Sequence, residues 1–198
     1  MPEDKPSPSA RVPYVFPPPG TNDVADIIRE RRGNRPLIDL DGVLLNAEPV
    51  AAGWNELGRG LRNSSTIPVD LRELLTLRVA VLNGSAYVWR AHEKLARAAG
   101  ISTTILLHVR TAPKYAHDGR TDVLDPLFAA ALLYADYVNC DVRVPKEVYD
   151  RLRALLPDDR QMVEATAVVA GYNFTTRILR PLDAAGMADD EVPMPVDE

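Results

Sequence analysis

The sequence predicts an all-α protein with about eight or nine helices and few or no strands, and three observations predict it. Apolar residues recur at three- and four-residue spacing through most of residues 21–182. No run of alternating apolar and polar residues is long enough to make a strand. The periodic segments are separated by Pro, Gly, Asn and Ser at positions that start or stop helices.

Residues 1–20 hold seven of the 17 prolines, which forbids regular structure and predicts an extended N-terminal arm. Tyr14, Val15 and Phe16 are its apolar exception, suited to packing on a neighbouring subunit. The helical domain is expected over 21–186, followed by an acidic tail over 187–198. Thr21-Asn22-Asp23 opens the first helix, which runs to Arg32 and stops at Gly33. Leu37–Asn46 reads as a connection with a short helical turn. Pro49 fits the first turn of the next helix, which carries Val50, Trp54, Leu57 and Leu61 at helical spacing until Asn63-Ser64-Ser65.

Two helices then follow over 69–102, the first almost wholly apolar between Leu74 and Leu82, the second amphipathic from Ser85 to Ala99, with Asn83-Gly84 between them. A shorter helix follows Ser102, and 111–121 is a polar loop containing His117 and Asp118. Residues 122–138 are helical with Pro126 in the first turn, Pro145 starts another helix, and Asp158 caps a last long one, to about Leu182, in which Met162–Phe174 is apolar nearly all round. Such a helix is expected to be buried in the core or in a subunit interface.

The central pair carries the chemistry. Glu73 shares a stripe with Leu77, Ala80 and Gly84, and His92 shares one with Ser85, Val88, Trp89, Leu95, Ala96 and Ala99, so each polar group projects from an apolar face. Burying both is costly unless they meet. A carboxyl group kept from water holds its proton more tightly and an imidazole titrates near neutrality, so a Glu73–His92 pair can pass a proton. Arg78, on the stripe of Leu74, Leu75 and Leu82, wants a carboxylate from the protein or from an anionic substrate. Tyr87 and Trp89 lie about one turn before His92 and can line a pocket or fill core; Asn173, beside Thr166, Val169 and Ala170, can orient a ligand or serve structure.

The segment LRELLTLRVAVLNGSAYVWRAHEKLARAAGIS resembles the signature of the carboxymuconolactone decarboxylase-like family, which shares its fold with the alkyl hydroperoxidase D proteins. RRGNRPLIDLDGVLLN resembles the lead-in of many members, and GYNFTTR their last helix. The resemblance implies an alkyl hydroperoxidase D-like helical bundle, with Glu73 and His92 at the family's Glu and His positions. Ser85 and Val88 stand where the peroxidase branch has its Cys-x-x-Cys pair, and Tyr87 where that branch has a further His. Thiol peroxidase chemistry is therefore not expected. What the resemblance implies instead is a cofactor-free lyase or isomerase acting on a small carboxylated or lactone-like molecule, with His92 and Glu73 catalytic and Arg78, Tyr87, Trp89, Asn173 and Ser85 binding substrate. The alternative is a binding or assembly protein that has lost its chemistry.

Composition narrows the classes. A net charge of −5 with basic residues scattered among acidic ones excludes a nucleic-acid footprint. The longest apolar run, Leu127–Ala135, is far short of the roughly 20 residues that span a bilayer, and a secretory leader is absent, so a cytoplasmic protein is expected. Cys140 is the only cysteine, and neither metal nor cofactor is expected; Cys140, His108 and His117 read as inert or isolated. The apolar surface of the last helix predicts a homo-oligomer, dimer, trimer or hexamer.

Overall fold

The computed structural model describes residues 10–117 and 122–197; the first half of the Pro-rich arm, Asp118 and the last residue of the acidic tail lie outside them. Among the described residues there are nine α-helices and no strand. They are α1 (Asp23–Arg31), α2 (Asp39–Leu44), α3 (Glu48–Arg62), α4 (Val69–Leu82), α5 (Ala86–Ala98), α6 (Thr103–Thr111), α7 (Pro126–Cys140), α8 (Lys146–Arg153) and α9 (Asp159–Leu179). None is long and apolar enough to cross a membrane. The chain forms two compact units: residues to Ser64 with Arg177–Asp189, and Ser65–Thr176 with the residues from Asp190.

In the first unit, Asn22 caps α1 by accepting from Ala25 N at 2.9 Å, and Gly33 ends it at φ +69°. The expected connection over 37–46 is more regular than a single turn, forming α2 and the 3₁₀ turn Leu45–Ala47. Helix α3 buries Ala51, Asn55, Gly58 and Leu61, while Val50 and Leu57 are exposed, so the expected Val50–Trp54–Leu57 stripe is not the inward one. Arg31 of α1 decides this register, since its guanidinium bonds Asn55 Oδ1 and lies over Gly58. The arm residues also depart from expectation. Val15 N donates to Gly42 O at 3.0 Å, the Tyr14 hydroxyl accepts from Ala185 N at 2.7 Å, and both rings cover Gly42, where a Cβ would run into them. Tyr14 and Phe16 thus pack on their own chain around Gly42, with Phe16 still 45% exposed.

The second unit is built around α4, in which every residue from Leu71 to Ala80 is buried. Helices α5, α6 and α7 pack against it and α8 packs on α7, which is why a sequence with apolar residues on all sides forms a helix here. Helix α5 starts at Ser85, α6 at Ser102 and α7 at Asp125, each side chain accepting a backbone N–H three residues on. Asp158 does the same for α9 through Gln161 N at 2.8 Å. Helix α9 is less enclosed than its composition suggests: Ala170 is exposed, Val163 is 67% exposed and Phe174 38%. Leu95 also faces water, off the His92 stripe.

Candidate functional site

Helix α4 places Glu73 in its first turns, and α5, returning from the Asn83-Gly84 turn, brings His92 opposite. His92 Nδ1 lies 2.6 Å from Glu73 Oε2, with side-chain exposures of 8% and 1%. With Glu73 ionised, this contact has Nδ1–H donating to the carboxylate, which leaves Nε2 as the ring nitrogen not engaged by Glu73. Two groups that the sequence pattern did not single out complete the surroundings. Arg72 places Nε at 3.2 Å and Nη2 at 3.3 Å from Glu73 Oε1, and Tyr172 of α9 presents its ring edge to His92 at a centroid distance of 4.9 Å. Arg72 stands one position from a buried acid at the start of an otherwise apolar helix, which is a readable signal; Tyr172 has no periodic signal of its own and lies in the GYNFTTR segment.

The substrate-binding candidates fare differently. Arg78 spends all five of its N–H donors inside the protein: Nε and Nη2 on Asp136 at 2.6 and 3.0 Å, Nη1 on the carbonyls of Val109 and Ala112 at 3.0 Å each, and Nη2 also on Pro113 O at 3.2 Å. It holds the 109–113 segment and α7, and no donor is left for a substrate. Trp89 is fully buried and its indole N–H donates to Glu93 at 2.8 Å. Ser85 is buried as the α5 cap, accepting from Val88 N. Asn173 donates to Asn139 Oδ1 at 2.7 Å, in a network where Asn83, at the end of α4, also reaches Asn139 and Thr176. Each of these four has a partner inside the chain that the sequence could not name, because a stripe shows that a side chain is buried but not what it meets. Tyr87 is half-buried, ahead of His92 on α5.

A second polar cluster surrounds Arg78. His108 Nε2 and His117 Nδ1, isolated in sequence, stand 3.2 Å apart, and His117 Nε2 faces Asp136 Oδ2 at 3.5 Å without a hydrogen bond. Burial, then the Arg78 charge, lowers the His117 pKa to about 4 against the pull of Asp136. Tyr115 N donates to Asp136 at 2.7 Å from a backbone with φ +64°. The Arg78–Asp136 contacts thus hold a left-handed residue that a free loop would avoid. Among the described residues no three His, Cys, Asp or Glu side chains converge as a metal site.

Residues 48–119, which span α3 to the loop after α6 and contain Glu73 and His92, match the carboxymuconolactone decarboxylase family. An uncharacterized peroxidase-related protein from Ralstonia eutropha JMP134, an alkylhydroperoxidase AhpD core, superposes with a TM-score of 0.71 at 17% identity, over 89% of this chain and 92% of that one. The debrominase Bmp8, in a variant complexed with 2,3,4-tribromopyrrole, superposes with a TM-score of 0.63 at 17% identity, over 88% and 92%. At this identity the likeness is one of fold. No curated protein sequence matches the chain.

Proposed function

From a chain whose residues 48–119 belong to the carboxymuconolactone decarboxylase family and whose fold is AhpD-like, we propose a cofactor-free lyase or isomerase of small carboxylated or lactone-like molecules. The observation that carries this is the buried 2.6 Å contact between His92 Nδ1 and Glu73 Oε2. Glu73 holds the imidazole in one tautomer, so that Nε2 accepts a proton from a carbon next to a carbonyl while the C–H electron pair moves onto the carbonyl oxygen as an enolate. Tyr87 is assigned the task of donating to that oxygen, a task Arg78 cannot share. An isomerase cycle closes when the imidazolium returns the proton to a different carbon. For a decarboxylation Nε2 first takes up a proton from solvent; the bond to the carboxylate then breaks, CO₂ leaves, the electron pair of that bond becomes the enolate, and the imidazolium gives its proton to the carbon and returns to the neutral ring.

Thiol chemistry has no support at this position. Ser85 and Val88 carry no thiol, and the Ser85 hydroxyl is committed to its cap. Replacing His92 by Gln is expected to lower turnover of a lactone or β-keto acid substrate by at least about 10²-fold, the usual worth of a positioned acid–base group, with the circular dichroism spectrum unchanged. Full activity in a folded H92Q protein would overturn the assignment and favour the reading of the chain as a binding or assembly protein.

A further inference from the structure

The acidic tail lies along α5 and α6. Residues 190–197 form no helix or strand and, among the described residues, make no backbone–backbone hydrogen bond, so side chains of the two helices hold them. Asp190 pairs with Arg90 at 3.0 Å, Arg110 Nε donates to Val192 O at 2.9 Å, and Arg97 Nη2 donates to Val196 O at 2.8 Å. Val192 and Pro195 are buried, whereas Glu191, Met194 and Val196 are exposed. Inward residues three apart match the repeat of a polyproline helix, and Pro193 and Pro195 fix φ near the value that helix needs. The segment is therefore preformed for docking and loses little entropy on it.

The receiving side is built without help from the tail. The Trp89 indole donates to Glu93 Oε2 at 2.8 Å, and Glu93 Oε1 accepts from Arg97 Nε and Nη2 at 3.2 and 2.7 Å. Thr103 Oγ1, at the start of α6, accepts from Arg97 Nη1 at 3.0 Å. These bonds fix the guanidinium with the remaining Nη2 hydrogen aimed at Val196 O. Arg110 is half-buried with no carboxylate against it among the described residues, and the acceptor it meets is Val192 O. Two donors set at this spacing suit the carbonyls of an extended backbone. Little else ties the tail down, since Arg90 and Asp190 are 49% and 41% exposed and such a pair adds little.

We propose that this face of α5 and α6 is a docking site for an extended Val-Pro-x-Pro segment, which the chain's own tail occupies as a resident ligand and which a partner protein presenting the same stretch displaces. The tail identifies the chemistry of that partner: two apolar residues three apart, with free carbonyls at the first of them and one position past the second.

The test uses the full chain. Val192→Ser with Pro195→Ser removes both inward side chains and releases the tail, and a fluorescent peptide of residues 190–198, DEVPMPVDE, is titrated against this variant by polarisation. A tethered tail competes at an effective concentration near millimolar, so the released variant is expected to bind the peptide at least about tenfold more tightly than the wild-type chain. Adding Arg97→Ala and Arg110→Ala should weaken that binding by at least about tenfold, as two charge-assisted hydrogen bonds are lost. The peptide carrying Val192→Ser and Pro195→Ser should not bind. No binding to the released variant, equal binding by the wild-type chain, equal binding of the Ser-substituted peptide, or binding indifferent to the arginine substitutions would overturn the proposal. If the released variant does not fold, ¹⁵N spectra of the wild-type chain decide. Millimolar unlabelled peptide should move the amide signals of Val192, Met194 and Val196 toward those of a free segment, and signals that stay in place overturn it. No readout here depends on turnover, so this outcome is separate from that of the His92 test.

Discussion

Arg78 and Asp136 show how one buried charge pair sets the local structure. A guanidinium that is 1% exposed beside a fully buried carboxylate contributes little net stability as a pair, yet removing one partner strands the other. Asp136→Asn is expected to cost about 3–5 kcal/mol in urea unfolding. The double variant Arg78→Met with Asp136→Leu should recover much of that loss, since neither charge then remains. A single-variant loss under about 1 kcal/mol would show that Arg78 finds enough partners in the 109–113 carbonyls alone.

At the scale of elements, Glu164 of α9 fastens the segment leading into α4. Its Oε2 accepts from Ser65 Oγ, Thr66 N, Thr66 Oγ1 and Ile67 N at 2.8–3.1 Å, while Arg160 bonds Oε1 at 2.9 Å. Partial burial opposes ionisation, but the Thr66, Arg160 and Ser65 hydrogen bonds outweigh it and lower the pKa to about 2. An unfolded Glu titrates near 4.3, so the carboxylate stabilises the fold fully above that pH and ceases to as pH falls toward 2. Glu164→Gln should therefore lower stability by roughly 1–2 kcal/mol at pH 7 and much less at pH 2.5, where the unfolded wild-type chain has already taken up its proton and most of the carboxylate's contribution has been lost. Equal losses at the two pH values would mean the segment is held by packing and not by charge.

The whole molecule leaves apolar surface uncovered. In the second unit Val163 and Phe174 of α9 are exposed, and Val163 lines a groove of about 340 Å³ with Tyr149, Met162, Thr166, Ala167 and Ala170. In the first, Val50 and Leu57 of α3 face outward. Surface of this kind supports the proposal of a homo-oligomer, with α9 as the element that favours it. Light scattering at micromolar concentration is expected to give at least twice the 21.8 kDa of one chain; a monomer mass would refute it. Val163→Glu should lower the mass if α9 forms the contact.

Periodicity and punctuation alone determined the helices, most of their caps and the burial of Glu73 and His92, because these depend on residues within a few positions of one another. Asn22, Ser85, Ser102, Asp125 and Asp158 cap helices where short-range chemistry expects them. Even the identity of the two polar groups that meet was legible, since a Glu and a His on packed faces of consecutive helices have few other ways to be satisfied. What a buried side chain meets at long range was decided only by tertiary structure. Arg78 took Asp136, 58 residues away, and Asn173 took Asn139. Likewise Tyr14 and Phe16 found Gly42, and α3 turned its Ala51–Asn55–Gly58 face inward to meet Arg31. Hydrophobic spacing marks which face leaves water and carries no address for the partner, so a charge on a stripe looks the same whether it awaits a substrate or an acid from another helix.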